Sequence, residues 1–493
     1  MHAILALTAM ALSNPKVVID VHFDPTPNLI YQMDLVSKSL AQGQMNAYTA
    51  LWKDKFLAGE EEKAALKQWR TLRDKIDDGY NGEPVKFPIA PVRLPFGKTI
   101  QARLAGLTAS SPSDYGKRMA KVVSVADAKD LEGILSRFSG PFTQWWESEA
   151  VPKGQKFSQE MAKLATGSKV SESVASYVNF YRPAIPNPTT IPFQLMYKPK
   201  LKGDGAHGEQ VANIAVVEFI EGEQPTNRID IIIHELCHYF FWSGASRDHI
   251  RLQKDYLALH DSAAIPSFNL MNEALATALG NGLVAEKFMT PDSFAKYRSQ
   301  DRSWYNNFAI DGAAKSTFDW LKGYIQQGGS LFDKGFAKNY TDAIRKGMGE
   351  AAESPQMQLM SANFIVGGDW TKDAFDSLYE GIQATYSTGN MESDVLVAMK
   401  DSMSSNPYLG TVIAMKPKDL TRVEKYLDLS AADDKVIRDE LANIQACCFG
   451  KRVKNGALVY LLITDDKDKL TDLAKRLGST RKPVIGVMKV GLP

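Results

Sequence analysis

From Ile229 to Trp242 the chain runs almost unbroken in apolar residues, interrupted chiefly by His234, Glu235 and His238. A stretch this long and apolar reads as a helix buried on most of its sides. Thr226 or Asn227 is placed to cap its start and Gly244 to end it. Burying two histidines and a glutamate is costly unless something satisfies them. Residues four apart share one helical face, one turn above the other. His234 and His238 can therefore offer both imidazoles to one ion, and neutral imidazole suits Zn2+. Glu235 lies about 100° further round the axis. That position is awkward for a ligand and well suited to reaching a water on the ion as a general base. The competing reading is a buried histidine pair held by ordinary hydrogen bonds. Cys237, inside the same motif, reads as a small core filler rather than a redox handle.

A catalytic zinc keeps three protein ligands and one open position. A third histidine six residues beyond the second would fall on Gly244, and Phe241 stands where an intervening glycine is needed. A glutamate on a following helix is the other route. Asn272-Glu273-Ala274-Leu275-Ala276 supplies it, within the helical run Phe268 to Leu283. His249 and His260 compete for the third place, and Glu273 also reads as a solvated surface residue.

Together, His-Glu-Leu-Cys-His and Asn-Glu-Ala-Leu-Ala resemble the gluzincin metallopeptidases, the thermolysin-like and M1-aminopeptidase-like group, over roughly residues 210 to 285. The resemblance implies a predominantly helical α+β catalytic core with a small edge sheet. It implies zinc held by His234, His238 and Glu273, with Asn272 in support. It also implies a peptide or protein substrate, with Glu235 moving a proton from water to the leaving amine. In that family an edge strand before the motif helix pairs with substrate. Val211 to Ile220 would be that strand, with Asn213, Ala215 and Val217 as binding positions; a buried core strand is the alternative. The oxyanion donor would follow the third ligand. Tyr305 is preferred because it lies in a polar, turn-like stretch, with Tyr324, Tyr340 and His207 as alternatives. The interval from His238 to Glu273, 35 residues, is longer than either named family uses. The extra residues, roughly Ser243 to Ser267, read as an insertion walling the cleft.

With 493 residues the chain exceeds what one core usually organises, so two or three domains are expected. Residues 14–181 read as a helical region, with Trp145 and Trp146 as core anchors. Residues 182–345 read as the catalytic domain and 346–493 as a small α/β domain. Arg182 to Pro192 reads as a linker or a crossing loop, Lys202-Gly203-Asp204-Gly205 as a hairpin or longer connection, Pro84 to Pro95 as a broken stretch, and Pro483 to Val490 as a closing strand. A formal net charge of +1 without a dense basic run gives nucleic acid and anionic membranes no electrostatic claim. No apolar stretch is long enough for a membrane span. Three cysteines make no disulfide framework, and adjacent Cys447 and Cys448 read as buried apolar residues rather than a strained bridge. Ala3 to Leu12 with Ala11-Leu12-Ser13 resembles a short signal peptide over residues 1–13, which would make the protein secreted or periplasmic. An ordinary N-terminal helix competes. Two further function classes stay open: a catalytically silent scaffold of the same fold, and a hydrolase of a non-peptide substrate.

Overall fold

The computed structural model describes residues 16–76, 97–367, 370, 372–383, 390–454 and 456–488. The expectations for residues 1–13 and for Pro84 to Pro95 fall outside them. The chain is predominantly helical with two mixed β-sheets, the α+β class expected. No helix among the described residues is long and apolar enough to cross a membrane. Two compact units divide the chain: residues 1–246 with 284–288, and residues 247–283 with 289–493.

In the first unit, β1 (Val17–His22), β2 (Thr189–Lys198), β3 (Gly208–Val211) and β4 (Ile214–Ile220) form a sheet in the order β1-β2-β4-β3. The first three are parallel, and β3 runs antiparallel to β4. The helices that matter below are α1 (Pro25–Ala41), α2 (Lys98–Leu107), α3 (Val125–Trp145), α4 (Val151–Thr166), α5 (Ser168–Tyr181) and α6 (Ile229–Trp242). One sheet face packs Met196, Val211, Ile214 and Val216 against Leu107 of α2. On the other, Phe219 stacks on Phe157 of α4 at 4.2 Å and meets Phe23 edge-on. Trp145 and Trp146 are both buried, as core anchors should be.

Several expected boundaries move. β1 pairs with β2 from Val17↔Thr189 to His22↔Gln194, so the helical N-terminal region and the strands after residue 182 share one sheet. The break at 181/182 is no edge of a compact unit. The supposed linker Arg182 to Pro192 enters β2 at Thr189. β2 and β3 are not neighbours, so residues 199–207 form a longer connection and no hairpin. Val211 to Ile220 is not one strand: the chain reverses at Ala212-Asn213, with Ala212 in the left-handed region at φ 54°.

The second unit begins with α7 (Ser246–Leu257) and α8 (Ala264–Thr277), and α8 packs on α9 (Phe308–Gln326) and α10 (Phe336–Met348). Six strands follow: β5 (Ser361–Val366), β6 (Asn390–Val395), β7 (Gly410–Met415), β8 (Ala446–Arg452), β9 (Leu458–Thr464) and β10 (Gly486–Val487), in the order β10-β8-β9-β7-β5-β6. The four strands β6, β5, β7 and β9 are parallel. Successive residues alternate across the pleat, and here both faces are dry. Phe364, Val412 and Leu462 pack with Leu378 and Leu470, while Ile365, Ile413 and Leu461 pack with Leu420 and Val423. An α/β layer at this end was expected; its unit also takes in α7 to α10, so 345/346 is no unit boundary either. Cys447 and Cys448 belong to clusters on opposite faces and are both free thiols, which removes the bridge. The closing strand shrinks to Gly486–Val487.

Candidate metal centre

The helix α6 is entered through a 3-10 turn at Pro225–Asn227, so the expected caps Thr226 and Asn227 lie in that turn and Arg228 stands at the N-cap. Arg228 is tied by its guanidinium to Glu223 at 2.8 Å. The C-cap is Ser243, whose hydroxyl donates to the Tyr239 carbonyl at 2.6 Å. Between these ends Ile229, Ile232, Ile233, Leu236 and Phe240 are fully buried. His234, Glu235 and His238 are buried with them, at 6, 5 and 8 % exposure. Their burial is the cost the sequence pattern implied.

The two imidazoles converge. Nε2 of His234 and Nε2 of His238 lie 3.0 Å apart, with the rings at 81°. Two nitrogens at about 2.0–2.1 Å from one tetrahedral zinc would stand about 3.3 Å apart, so the pair needs only a few tenths of an ångström to admit it. Cys237 points elsewhere, towards Tyr177 and Tyr181 of α5, and burial pushes its thiol far above the ordinary range. It is core, as expected.

Glu273, half-buried on α8, carries the carboxylate that would complete a three-donor set with these two imidazoles. Two imidazole nitrogens and a carboxylate oxygen are the donor set of a three-ligand catalytic zinc site, so the residues present fit the ion. Glu273 sits one turn beyond Asn269, whose side-chain amide donates to the Tyr408 carbonyl at 2.7 Å. The turn into α8 is held by charge. Asp261 accepts the Ala263 N–H at 2.8 Å and pairs with Arg345, and Gln358 donates to the Ser262 carbonyl at 2.8 Å. Arg345 and Arg452 both bind Glu353; against the opposing pull of burial, they hold its carboxyl down at about 2. The competing ligands are placed otherwise. His249 lies on α7 with its ring against Phe332 at 5.1 Å, and His260 is exposed in a left-handed turn at φ 49°. Residues expected to wall a cleft, Ser243 to Ser267, form α7 and this turn.

A residue missed in the sequence stands beside Glu235. At Gly208 a Cβ would lie 2.7 Å from Ile231 Cγ2 and 2.9 Å from Glu235 Oε1. Only glycine lets this backbone approach so near the carboxylate. Gly208 opens β3, and β3 is the sheet edge. The expected edge positions need correction accordingly. Ala215 and Val217 lie on β4, which is paired on both sides, to Phe193 and Leu195 of β2 and to Gln210 and Gly208 of β3. Asn213 lies in the turn between β3 and β4. A glycine ahead of a short strand was the available signal; two apolar runs of similar texture hid which one was the edge.

Among the tyrosines, Tyr324 has its hydroxyl 3.1 Å from both the Ser330 carbonyl and the Asp333 carboxylate, and Tyr340 is fully buried beside Trp320 and Phe336. Both are packing residues. Tyr305 is half-buried before α9, its backbone N–H 3.3 Å from Asp311 Oδ1. His207 has an exposed ring and a backbone bonded on both sides to Glu218. Comparison of the chain with protein-family models, with curated proteins and with solved structures returned no match.

Proposed function

We propose that this chain is a zinc-dependent metallopeptidase, with His234, His238 and Glu273 as metal ligands and Glu235 as general base. The observation that carries the reading is the convergence of the two buried imidazoles of α6 beside a buried glutamate one residue from the first of them. Zinc bound there would act as a Lewis acid on a carbonyl and bring its water towards ionisation near neutral pH. The Glu235 carboxylate, low in exposure, accepts the water's proton and returns it to the leaving amine. Main-chain groups of β3 pair with an extended peptide beside it. Tyr305 is the donor assigned to the developing oxyanion.

Metal analysis of the purified chain is expected to find about one zinc per molecule, with chelator-sensitive cleavage of peptides. Glu235→Gln should keep the metal and lose about 10²- to 10⁴-fold in turnover. Glu273→Ala should lose the metal. Absence of zinc above background after mild purification would overturn the proposal.

A further inference from the structure

Side chains alternate across a strand, so the two sides of β3 meet different surroundings. Gly208 meets Ile231 and Glu235 of α6. Glu209 and Val211 turn the other way: Glu209 pairs with Arg103 of α2, and Val211 packs near Leu107. On that far side stands Glu218 of β4, only 3 % exposed. Its carboxylate accepts the Tyr31 hydroxyl at 3.0 Å and the His207 N–H at 2.9 Å, and lies 3.3 Å from the Lys198 ammonium. Its own N–H donates to the His207 carbonyl at 2.8 Å. Lys198 also donates to the Gly205 carbonyl at 2.7 Å, which ties down the connection leading into β3.

Apolar neighbours Val216, Val217 and Phe219 show what this strand uses elsewhere. An apolar pair in place of Glu218 and Lys198 would be at least as stable, because desolvation consumes the Coulomb gain of a buried ion pair. What the pair supplies is position. A ladder of four residues is a short one, and the carboxylate adds a second bond to the residue just before it.

We infer that Glu218 is a positioning residue: with Lys198 and Tyr31 it fixes His207, and through the next peptide it sets Gly208 against the Glu235 carboxylate. The inference rests on the metallopeptidase reading only for the chemistry it assigns to Glu235. Burial and the adjacent Glu218 raise the Tyr31 phenol well above its ordinary value, so it stays a donor throughout the working range.

Glu218→Gln and the milder Tyr31→Phe, made in the full chain, test this by segment-resolved amide hydrogen exchange and by steady-state kinetics. Loss of a charge-assisted hydrogen bond should speed exchange over residues 205–211 by at least about tenfold, with β1 and β2 unchanged. Zinc content should not move. kcat should fall about 10- to 100-fold for Glu218→Gln, the scale of a small misplacement at a reacting group, with KM changing much less. Tyr31→Phe should shift both readouts in the same direction by less. Unchanged exchange over 205–211 overturns the inference. So does a drop in melting temperature with kcat per folded molecule intact, the mark of a merely structural role. A wild-type chain without zinc or cleavage defeats the metallopeptidase reading alone, since the exchange measurement still decides whether Glu218 holds the edge.

Discussion

The two sheets solve the same packing problem in different ways. In the six-stranded sheet, β7 and β9 bury both faces with residues that are almost all apolar, and the buried Asn363 of β5 is neutral and bonded to the Ser402 hydroxyl at 3.0 Å. At its rim Arg452 of β8 and Arg345 of α10 share Glu353, and its unit buries the carboxylates of Asp311 and Asp419 outside the strands. The four-stranded sheet instead buries a carboxylate, Glu218, beside a half-buried ammonium partner, Lys198. The contrast teaches where shape matters most. Strands β7 and β9 of the six-stranded sheet stay apolar, and the sheet that holds a backbone against the buried Glu235 carboxylate carries costly polar fastenings.

The sharpest challenge to that contrast is Leu461→Ala. It should cost about 2–5 kcal/mol, as a fully buried leucine does, read by denaturant titration, while activity per folded molecule is unchanged. If activity falls with it, the six-stranded sheet is more than support. Gly208→Ala should reverse the pattern. Overpacking against Ile231 and Glu235 costs about 1–3 kcal/mol, but the loss that dominates is in kcat, about 100-fold. A variant that is unstable yet fully active would show that the close approach at Gly208 is only packing.

The rim charges give a smaller effect with a definite sign. Glu353 titrates at about 2 in the fold against an ordinary 4.5. Its contribution is therefore present above pH 4.5 and is lost as pH falls from there through 2. Unfolding midpoints of the wild type should decline across that window, and Glu353→Gln should flatten the decline. Smallest of all is the response of the thiols. Burial pushes Cys447 up to about 12 and raises Cys237 and Cys448 as well. None should react with an alkylating reagent at about pH 8 in the native chain. All three should react after denaturation. Labelling of Cys447 or Cys448 in the native protein would show that the six-stranded sheet opens more readily than its packing implies.

The motif helix was legible because its signals are local: an apolar run sets the burial, and a four-residue spacing sets the shared face. Glu273 was singled out by counting towards a following helix, and α8 carries it. What escaped depended on partners distant in the chain. The pairing of Val17 with Thr189 leaves no mark in either segment. The hairpin at Ala212-Asn213 was hidden because alanine occupies the left-handed position where glycine or asparagine normally announces a reversal. One continuous strand was therefore read where there are two, and the sheet edge was assigned to the wrong one. Glu218 escaped for the same reason. A glutamate in an apolar strand looks solvent-facing until the sheet order puts another strand on each side of it.

The brevity of β3 has a consequence for how the protein behaves in company. An unpaired strand edge is a template on which other chains, including copies of the same one, can polymerise, and proteins blunt such edges by keeping them short or charged. β3 does both: it ends at Val211 after four residues, and it carries Glu209, paired with Arg103 of α2. A second copy laid along it gains too few backbone bonds to stay. Whatever pairs there for long must be gripped somewhere else as well, so the edge can stay open to a visiting strand without becoming a seed for aggregation.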